Sequence, residues 1–532
     1  MSATSPPFDT DVVIVGYGPS GVSAANFLGA YGMRAIAFER DKGIYPRARA
    51  VTVNDWTLRC FQSAGLDGLL LRDMEPTRVI RWRTYDGREL GRTAIRPSTL
   101  GHHSANIIYQ PVMEQTLRDG VLRHADKVEV RYGYSVTSLE QDSEGVTVTA
   151  HDAQTGQTST TRARYVLACD GGSSSVRSQL GIALVGSTLD TKWVVIDARV
   201  KRWWSERNLH TFWSDKKRPV VDIPLALGNH RWEFPLEPQE SESDFATPEQ
   251  LWKLLHTMGI TEDHIEIHQH AFYRHHVRHA QRWRSGRVFL LGDAAHMMPP
   301  WAGQGMQSGI RDAFNICWKL REVIAGRLPE SLLDTYEPER APNVAMLTQA
   351  SEQLGRIVKM QLSRKERWLY AFRELLGRLH VPMPLHPRFR PPFLNTGWLR
   401  GPVGIQSAVG KMIPQPMVCT PQGKPGWLDT LLGNGFTLLG DGVDPASLLE
   451  PEEKARWDAL GARYLAVRSG KVAAVSDTDV IDLDGTLLAW MRKQGTQAIA
   501  LRPDRFVAAA QGSGLDVPSW TETPPSGRSA IR

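Results

Sequence analysis

Glycine, aspartate and proline gather in three short segments whose composition suits gripping a diphosphate and the hydroxyls of a sugar. They are Val15-Gly16-Tyr17-Gly18-Pro19-Ser20-Gly21, Cys169-Asp170-Gly171-Gly172 and Leu291-Gly292-Asp293-Ala294-Ala295-His296, and more than a hundred residues separate each from the next. In the first, Gly16 allows a tight turn, Gly18 lets the backbone approach a pyrophosphate, and Gly21 lets the following helix pack closely on the strand. Pro19 and Ser20 open that helix, whose N-terminal amides and positive dipole end favour an anion. Glu39 ends the next apolar run, the place for a carboxylate that accepts hydrogen bonds from an adenosine ribose. Alone, this segment does not separate an FAD site from an NAD site. The other two do: Asp170 stands at a strand end, where polar groups meet a ligand in an α/β sheet, and Asp293 can accept from the hydroxyls of a ribityl chain. All three in this order point to FAD lying across the fold.

The third segment runs on through Pro299-Pro300-Trp301-Ala302-Gly303-Gln304-Gly305-Met306 into a helical pattern. The turn around Gly303 places the backbone N–H groups of Gly305, Met306 and Gln307 at a helix start. Their dipole would stabilise negative charge on the N1–C2 carbonyl edge of a reduced flavin.

These residues need a particular frame. An apolar run over 11–15, a helix over 22–31 and a second run over 34–38 make a βαβ unit of about thirty residues, the spacing a dinucleotide site requires. A helix is predicted over 113–124, followed by strands over 128–132 and 145–150, the latter alternating with period two, and a run over 160–168 leading to Asp170. Residues 184–273 read as a β-rich insertion covering a ligand, with a helix over 248–258. The basic stretch from Arg274 to Arg287 is expected to be a solvated loop. It has no Cys or carboxylate partner at a metal-ligand spacing and no stacking pattern of aromatics for nucleic acid. Helices are predicted over 304–326 and 343–379, a boundary at the Pro-rich run 382–392, and an α/β appendage beyond about residue 410, with strands near 436–439 and 498–501.

The chain has 532 residues, too many for one ordinary core. Its 41% hydrophobic and 23% charged content is that of a globular protein, and a net charge of +6 is mild for the length. No apolar run is long enough to span a bilayer. The first ten residues lack the basic and apolar regions of a secretory signal, so a cytoplasmic protein without membrane or nucleic-acid partners is expected. Cys60, Cys169, Cys317 and Cys419 show no CxxC spacing and read as free thiols.

The chain resembles the class A flavin-dependent aromatic hydroxylases, the group of para-hydroxybenzoate hydroxylase, and most nearly those acting on 3-(3-hydroxyphenyl)propionate. The resemblance is carried by Pro46-Arg47-Ala48-Arg49-Ala50-Val51 with Asn54-Asp55, by Gln110-Pro111, and by the second and third glycine segments. It continues through Gly303 to Lys319 and Leu333-Asp334-Thr335-Tyr336-Glu337, and reaches Arg502-Pro503-Asp504-Arg505-Phe506-Val507-Ala508. It implies a Rossmann-like FAD-binding α/β domain with an inserted β-rich substrate domain and a C-terminal thioredoxin-like domain lacking redox cysteines. The expected parts are 1–183, with substrate-side strands about 75–108; 184–280, the β-rich substrate domain; 281–390, the rest of the FAD domain and a helical region; and 400–520, the thioredoxin-like domain.

Carried over residue by residue, Gly16, Gly18, Pro19, Ser20, Gly21, Glu39 and Arg40 would hold the ADP half of FAD. Arg49 and Gln110 would reach the pyrophosphate and ribityl region, Asp170 would serve FAD and NAD(P)H binding, and Asp293, Gly303, Gly305, Met306 and Gln307 would line the ribityl and ring end. Pro300 lines up with the proline whose carbonyl faces the substrate phenol. Trp301-Ala302 departs from the family, which often has Phe or a small residue there. The implied reaction is ortho-hydroxylation of a small phenolic substrate, a 3-hydroxyphenylpropionate-like acid, with NADH or NADPH and O₂, through a flavin C4a-hydroperoxide. A homodimer is compatible and no metal is implied. His210, His230 and Tyr273 are candidates to deprotonate the phenol, and Arg231 and Arg199 to meet a carboxylate, though solvated strand positions are expected for both arginines. The alternatives are other flavin oxidoreductase chemistry on the same fold, or a catalytically silent flavin-binding protein. The halogenase WxWxIP pattern is absent.

Overall fold

The computed structural model describes residues 8–95, 97–214, 218–359, 361–378, 392–470 and 476–519. Two compact units are present: residues 1–98, 102–314 and 344–390 form one, and residues 99–101, 315–343 and 391–532 form the other.

The first unit is built on two eight-stranded sheets. In one, the strands Val288–Leu290, Thr158–Ala168, Thr10–Val15, Ala35–Glu39 and Val128–Tyr132 lie side by side. They are parallel, with Val15 beside both Ala168 and Phe38, and Ala168 beside Leu290. Val12, Val13 and Ile14 are wholly buried, as expected of a parallel strand covered on both faces. The strands Val146–Asp152 and Tyr134–Gln141 continue from Thr158–Ala168 as an antiparallel flap. Helix Pro19–Ala30 starts with proline in its first turn and buries every residue from Gly21 to Gly29. A helix over Gln110–Val121 ends in a short 3-10 turn.

The other sheet runs, in order, His296–Met297, Ile265–Ala280, Leu184–Val200, Asn229–Pro235, Val220–Leu225, His210–Trp213, Val79–Arg83 and Glu89–Ala94. Strand alternation sorts its side chains. Val194, Ile196, Trp213, Trp232 and Phe234 form an outer face that packs on Leu251, Leu254 and Leu255 of helix Pro248–His256. Trp82, Trp193, Phe212, Val221 and Ile223 form an inner face that clusters with Trp301. The basic stretch after Arg274 is not a solvated loop. Residues up to Ala280 complete the long strand Ile265–Ala280, paired with Leu184–Val200 across two bulges. Arg274 is exposed, His275 to His279 are half-buried and Ala280 is buried, which a count of basic residues conceals.

Helices follow over Gly305–Ile324, Tyr336–Val358 and Arg364–Arg378. The second begins earlier than its pattern suggests because Pro342 lies inside it, where proline removes a donor and normally marks a boundary. Most of the expected 382–392 boundary lies outside the described residues.

In the second unit, Thr437–Asp441, Arg463–Ser469 and Asp479–Asp482 are parallel neighbours, and Ala498–Leu501 and Val507–Ala510 extend the sheet antiparallel. This is the thioredoxin-like arrangement. Beside it, Glu339 is fully buried and accepts from Asn315 Nδ2, Lys319 Nζ, Trp398 N and both terminal nitrogens of Arg502. All four cysteines are free thiols. Among the described residues no helix is long and apolar enough to cross a membrane, and no cluster of metal-ligating side chains occurs.

Candidate functional site

The three glycine segments leave the carboxyl ends of three adjacent parallel strands and meet there. Gly16 has φ +90°, and a Cβ on it would lie 2.6 Å from the Cys169 carbonyl oxygen of the second segment. A Cβ on Gly21 would collide with Gly16 O, and one on Gly292 or Gly309 would collide with Ser20 Oγ. Ser20 of the first segment therefore nests against the third. Gly18 behaves differently: nothing lies within 4 Å of its Cβ position. It is the N-cap of helix Pro19–Ala30, which has no side-chain cap and no acidic residue in its first turn. Orphan amides at an uncapped, open helix start fit a pyrophosphate.

Around this cradle, Glu39 accepts from Tyr17 N at 2.6 Å and Asp41 N at 2.9 Å, so its carboxylate braces the glycine turn. Arg40 and Arg49 are exposed; Arg40 lies 3.6 Å from Asp41, and the Arg49 guanidinium lies over the Tyr45 ring. Gln110 is buried, and its Oε1 accepts from both Arg49 N and Ala50 N. It positions the backbone that carries Arg49 instead of presenting a free amide oxygen. Asp170 uses Oδ2 to accept from Val176 N and Ser175 Oγ, while its buried Oδ1 has no partner. That orphaned acceptor is what a hydroxyl or amide of a bound nucleotide would satisfy.

Asp293 is exposed on a single 3-10 turn, Gly292–Ala294; its carboxylate stands clear for a hydroxyl donor. Pro300 is also exposed, and its carbonyl accepts from Gly303 N at 2.7 Å in the turn Pro300–Ala302. Gly303, at φ +62°, ends that turn. Helix Gly305–Ile324 then starts with Gly305, Met306 and Gln307 in its first turn, again without an acidic residue. The Gln307 side chain turns inward: Oε1 accepts from Asn54 N and Thr57 Oγ1, and Nε2 donates to Gly303 O. Its backbone N–H is the part available to a ligand. An uncapped helix start at Gly18, an unused buried acceptor and a cradle that a Cβ would fill all fit FAD.

The inner face of the second sheet closes over this region. Arg231 is buried, not solvated as expected from its strand position. It makes two hydrogen bonds to Asp197, at 2.7 and 2.9 Å, and donates to the carbonyls of Ala48 and Arg49. Arg199 is exposed and donates to Leu227 O. His230 packs on Trp204 and Trp232 of the outer face and bonds Asp222 Oδ1 at 2.7 Å, which takes it away from the flavin side. His210 shares the inner face with Phe212, its ring centroid 4.8 Å away. Burial holds its pKa down to about 4. Tyr273 lies opposite Trp193 on the same face, and burial raises its phenol. Beside them Glu233 is a buried carboxyl raised by burial.

Residues 9–351 match the FAD binding domain family, and residues 410–517 match the HcaD C-terminal domain family. The 3-(3-hydroxy-phenyl)propionate/3-hydroxycinnamic acid hydroxylase of Burkholderia cenocepacia is 38% identical over 518 residues, covering 94% of this chain and 93% of that one. The second such hydroxylase of Burkholderia vietnamiensis is 36% identical over 516 residues, covering 94% and 93%. This chain belongs to the class A flavin-dependent aromatic hydroxylases. A solved flavin-dependent monooxygenase, PieE in complex with FAD and substrate, shares the fold: TM-score 0.79 at 23% identity, over 96% of this chain and 97% of that one.

Several residues that hold the hydroxylase's cradle together escape sequence reasoning. Arg177 donates to Gly172 O at 2.9 Å and Ala294 O at 3.0 Å, stitching the second segment to the third. Asp312 accepts from Gly292 N at 3.1 Å and meets His296 Nε2 at 2.7 Å, fixing the turn that presents Asp293. Arg311 donates to Asn54 Oδ1, Thr57 Oγ1 and Gln304 Oε1 and stacks over Trp56. Arg311 and Asp312 lie on a helix whose pattern reads only as amphipathic, and Arg177 lies on the five-residue helix Ser175–Gln179. The one available signal is a charged residue at a position the helix must bury.

Proposed function

We propose that this hydroxylase inserts one oxygen atom ortho to the hydroxyl of a 3-hydroxyphenylpropionate-like acid, with NADH or NADPH as electron donor. Phenol, O₂, NAD(P)H and a proton give a catechol, water and NAD(P)⁺. The carrying observation is the convergence of the three segments at one place, under the inner aromatic face that holds Trp301. Bound FAD supplies the redox chemistry that activates O₂. The chain's own residues do the rest.

In this reading Gly16, Gly18, Gly21 and the amides of Pro19–Ala30 hold the diphosphate, with Glu39 and Arg40 at the ribose. Arg49 and Asp293 face the diphosphate and ribityl chain, and Gln110 acts by positioning Arg49. Asp170 Oδ1 receives a donor from the nucleotide. The start of helix Gly305–Ile324 stabilises negative charge at the flavin ring. Trp82, Trp193, Phe212 and Trp301 exclude water from the reacting centre. Pro300 O keeps a second lone pair for the phenol proton, and a further proton acceptor must stand on the inner face, where His210 and Tyr273 lie and His230 does not. The division at about residues 183, 280 and 400, a homodimer and a cytoplasmic location complete the proposal. Screening hydroxyphenyl acids for stimulated NADH and NADPH oxidation tests it: a hydroxyphenylpropionate should give the largest stimulation with a catechol product. If no phenol accelerates nicotinamide oxidation, the reading fails.

A further inference from the structure

Beside Pro300, four side chains carry polar groups that nothing else in the described protein uses. The Trp301 indole lies flat against helix Tyr336–Val358 at Gly355, where any Cβ would strike the ring. Lys359 Nζ sits over the same indole, 5.2 Å from its centre. The His275 ring meets it edge-on, 5.2 Å away at 83°, and Trp193 lies 6.3 Å from Trp301 and 6.0 Å from His275. Trp193 is wholly buried and Trp301 is 9% exposed. Trp193 Nε1, Trp301 Nε1 and His275 Nδ1 are all buried without a hydrogen-bond partner.

Buried donors without acceptors are costly and uncommon, and two indole donors beside an unpartnered imidazole nitrogen call for a ligand that accepts. No acidic side chain pairs with Lys359 among the described residues. The cluster is thus one ammonium, two indole donors and one imidazole, with no negative charge of its own. Burial and the nearby Lys359 hold His275 down to about 4, so it is neutral at pH 7 and can donate from one nitrogen. An acceptor of negative charge is the complement to this set.

We propose that Lys359, His275, Trp193 and Trp301 form the seat for the carboxylate of the aromatic acid, with the ring held toward Pro300. This rests on the hydroxylase reading above. It assigns selection for an acid over a neutral phenol to these four residues. Arg231, whose guanidinium Asp197 already neutralises, has no such part.

The test reads binding to the FAD-loaded enzyme, through the change in flavin absorbance on titration with 3-phenylpropionate and with its uncharged amide. Neither ligand has a phenol to hydroxylate. The wild type should prefer the acid. Lys359→Met should weaken acid binding about 10- to 100-fold, the effect of a lost charged hydrogen bond, and bring the acid-to-amide ratio close to one. Lys359→Arg should restore most of the preference. His275→Phe, which keeps the ring packing, should reduce it in the same direction. A ratio unchanged by Lys359→Met, or equal losses for acid and amide, would overturn the proposal. Because turnover is not read, a chain that hydroxylates no phenol would sink the proposed function without deciding this result.

Discussion

Gly18→Ala separates a cradle built for a ligand from a turn that merely packs. Gly18 has φ −71° and ψ −170°, a backbone that alanine adopts without strain, and its Cβ position meets nothing within 4 Å. Two small effects on the empty protein oppose each other. Alanine is a poorer N-cap than glycine by a few tenths to about 1 kcal/mol, while Gly→Ala at a compatible position stabilises by about 0.4–1 kcal/mol through the unfolded chain. The apoprotein should therefore unfold within about 1 kcal/mol of the parent. Bound FAD feels the methyl directly, because the room it fills is the room a pyrophosphate needs to reach the helix amides. Losing one or two charge-assisted hydrogen bonds there costs about 1.5–3 kcal/mol each, or roughly 10- to 100-fold in Kd for the first. The assay is FAD titration of apoprotein followed by flavin fluorescence, with urea unfolding of the same samples. An unchanged Kd would refute the cradle. A large loss of apoprotein stability would show that the open space at Gly18 is not real. Gly21→Ala is the contrasting case, since its Cβ strikes the Gly16 carbonyl and should damage the apoprotein itself.

Replacing Arg231 with Met leaves Asp197 buried beside Gln269 alone and should destabilise by about 3–5 kcal/mol; a loss under about 1 kcal/mol in urea melts would contradict the structural role given to this pair. Glu339→Ala strands buried Lys319 in the second unit, while Arg502 keeps its pair with Asp504, and should cost a similar amount, about 3–5 kcal/mol, seen as a lowered midpoint of thermal unfolding. For acid stability, His210 and His275 are both held down to about 4, below the ordinary value near 6.5. As pH falls through that window the unfolded chain takes up protons that the folded chain refuses, so stability falls by at most about 3 kcal/mol per histidine. Urea melts from pH 7 to pH 4 should show this slope, and His210→Gln with His275→Gln should flatten it. Parallel profiles for parent and double variant would contradict the assignment.

The cradle was legible because its chemistry is backbone chemistry. A tight turn, a close approach and a helix start each demand glycine or proline, so Gly16, Gly18, Gly21 and Gly303 announce themselves. The parallel strands were legible for a related reason: burial on both faces leaves unbroken apolar runs such as Val12-Val13-Ile14-Val15. The inner face of the second sheet was not. His275 sits in a run of histidines and arginines whose composition suggests solvent, and only the pairing with Leu184–Val200 shows that alternate members turn inward. The burial of Arg231 is hidden for the same cause, because it depends on Asp197, 34 residues away in sequence. Gln110 and Gln307 are expected at the site, and their side chains brace backbone segments, a distinction that spacing does not encode. Asp293 is exposed because it lies on a turn beyond the strand end.

The most direct test of the account is the rate at which the FAD-loaded protein is reduced by NADH or NADPH, with and without 3-(3-hydroxyphenyl)propionate, together with the amounts of O₂ consumed and catechol formed. The account predicts that the phenol accelerates reduction and that nicotinamide, O₂ and catechol change in equal amounts. Reduction indifferent to every phenol, or O₂ consumed without catechol, would contradict it.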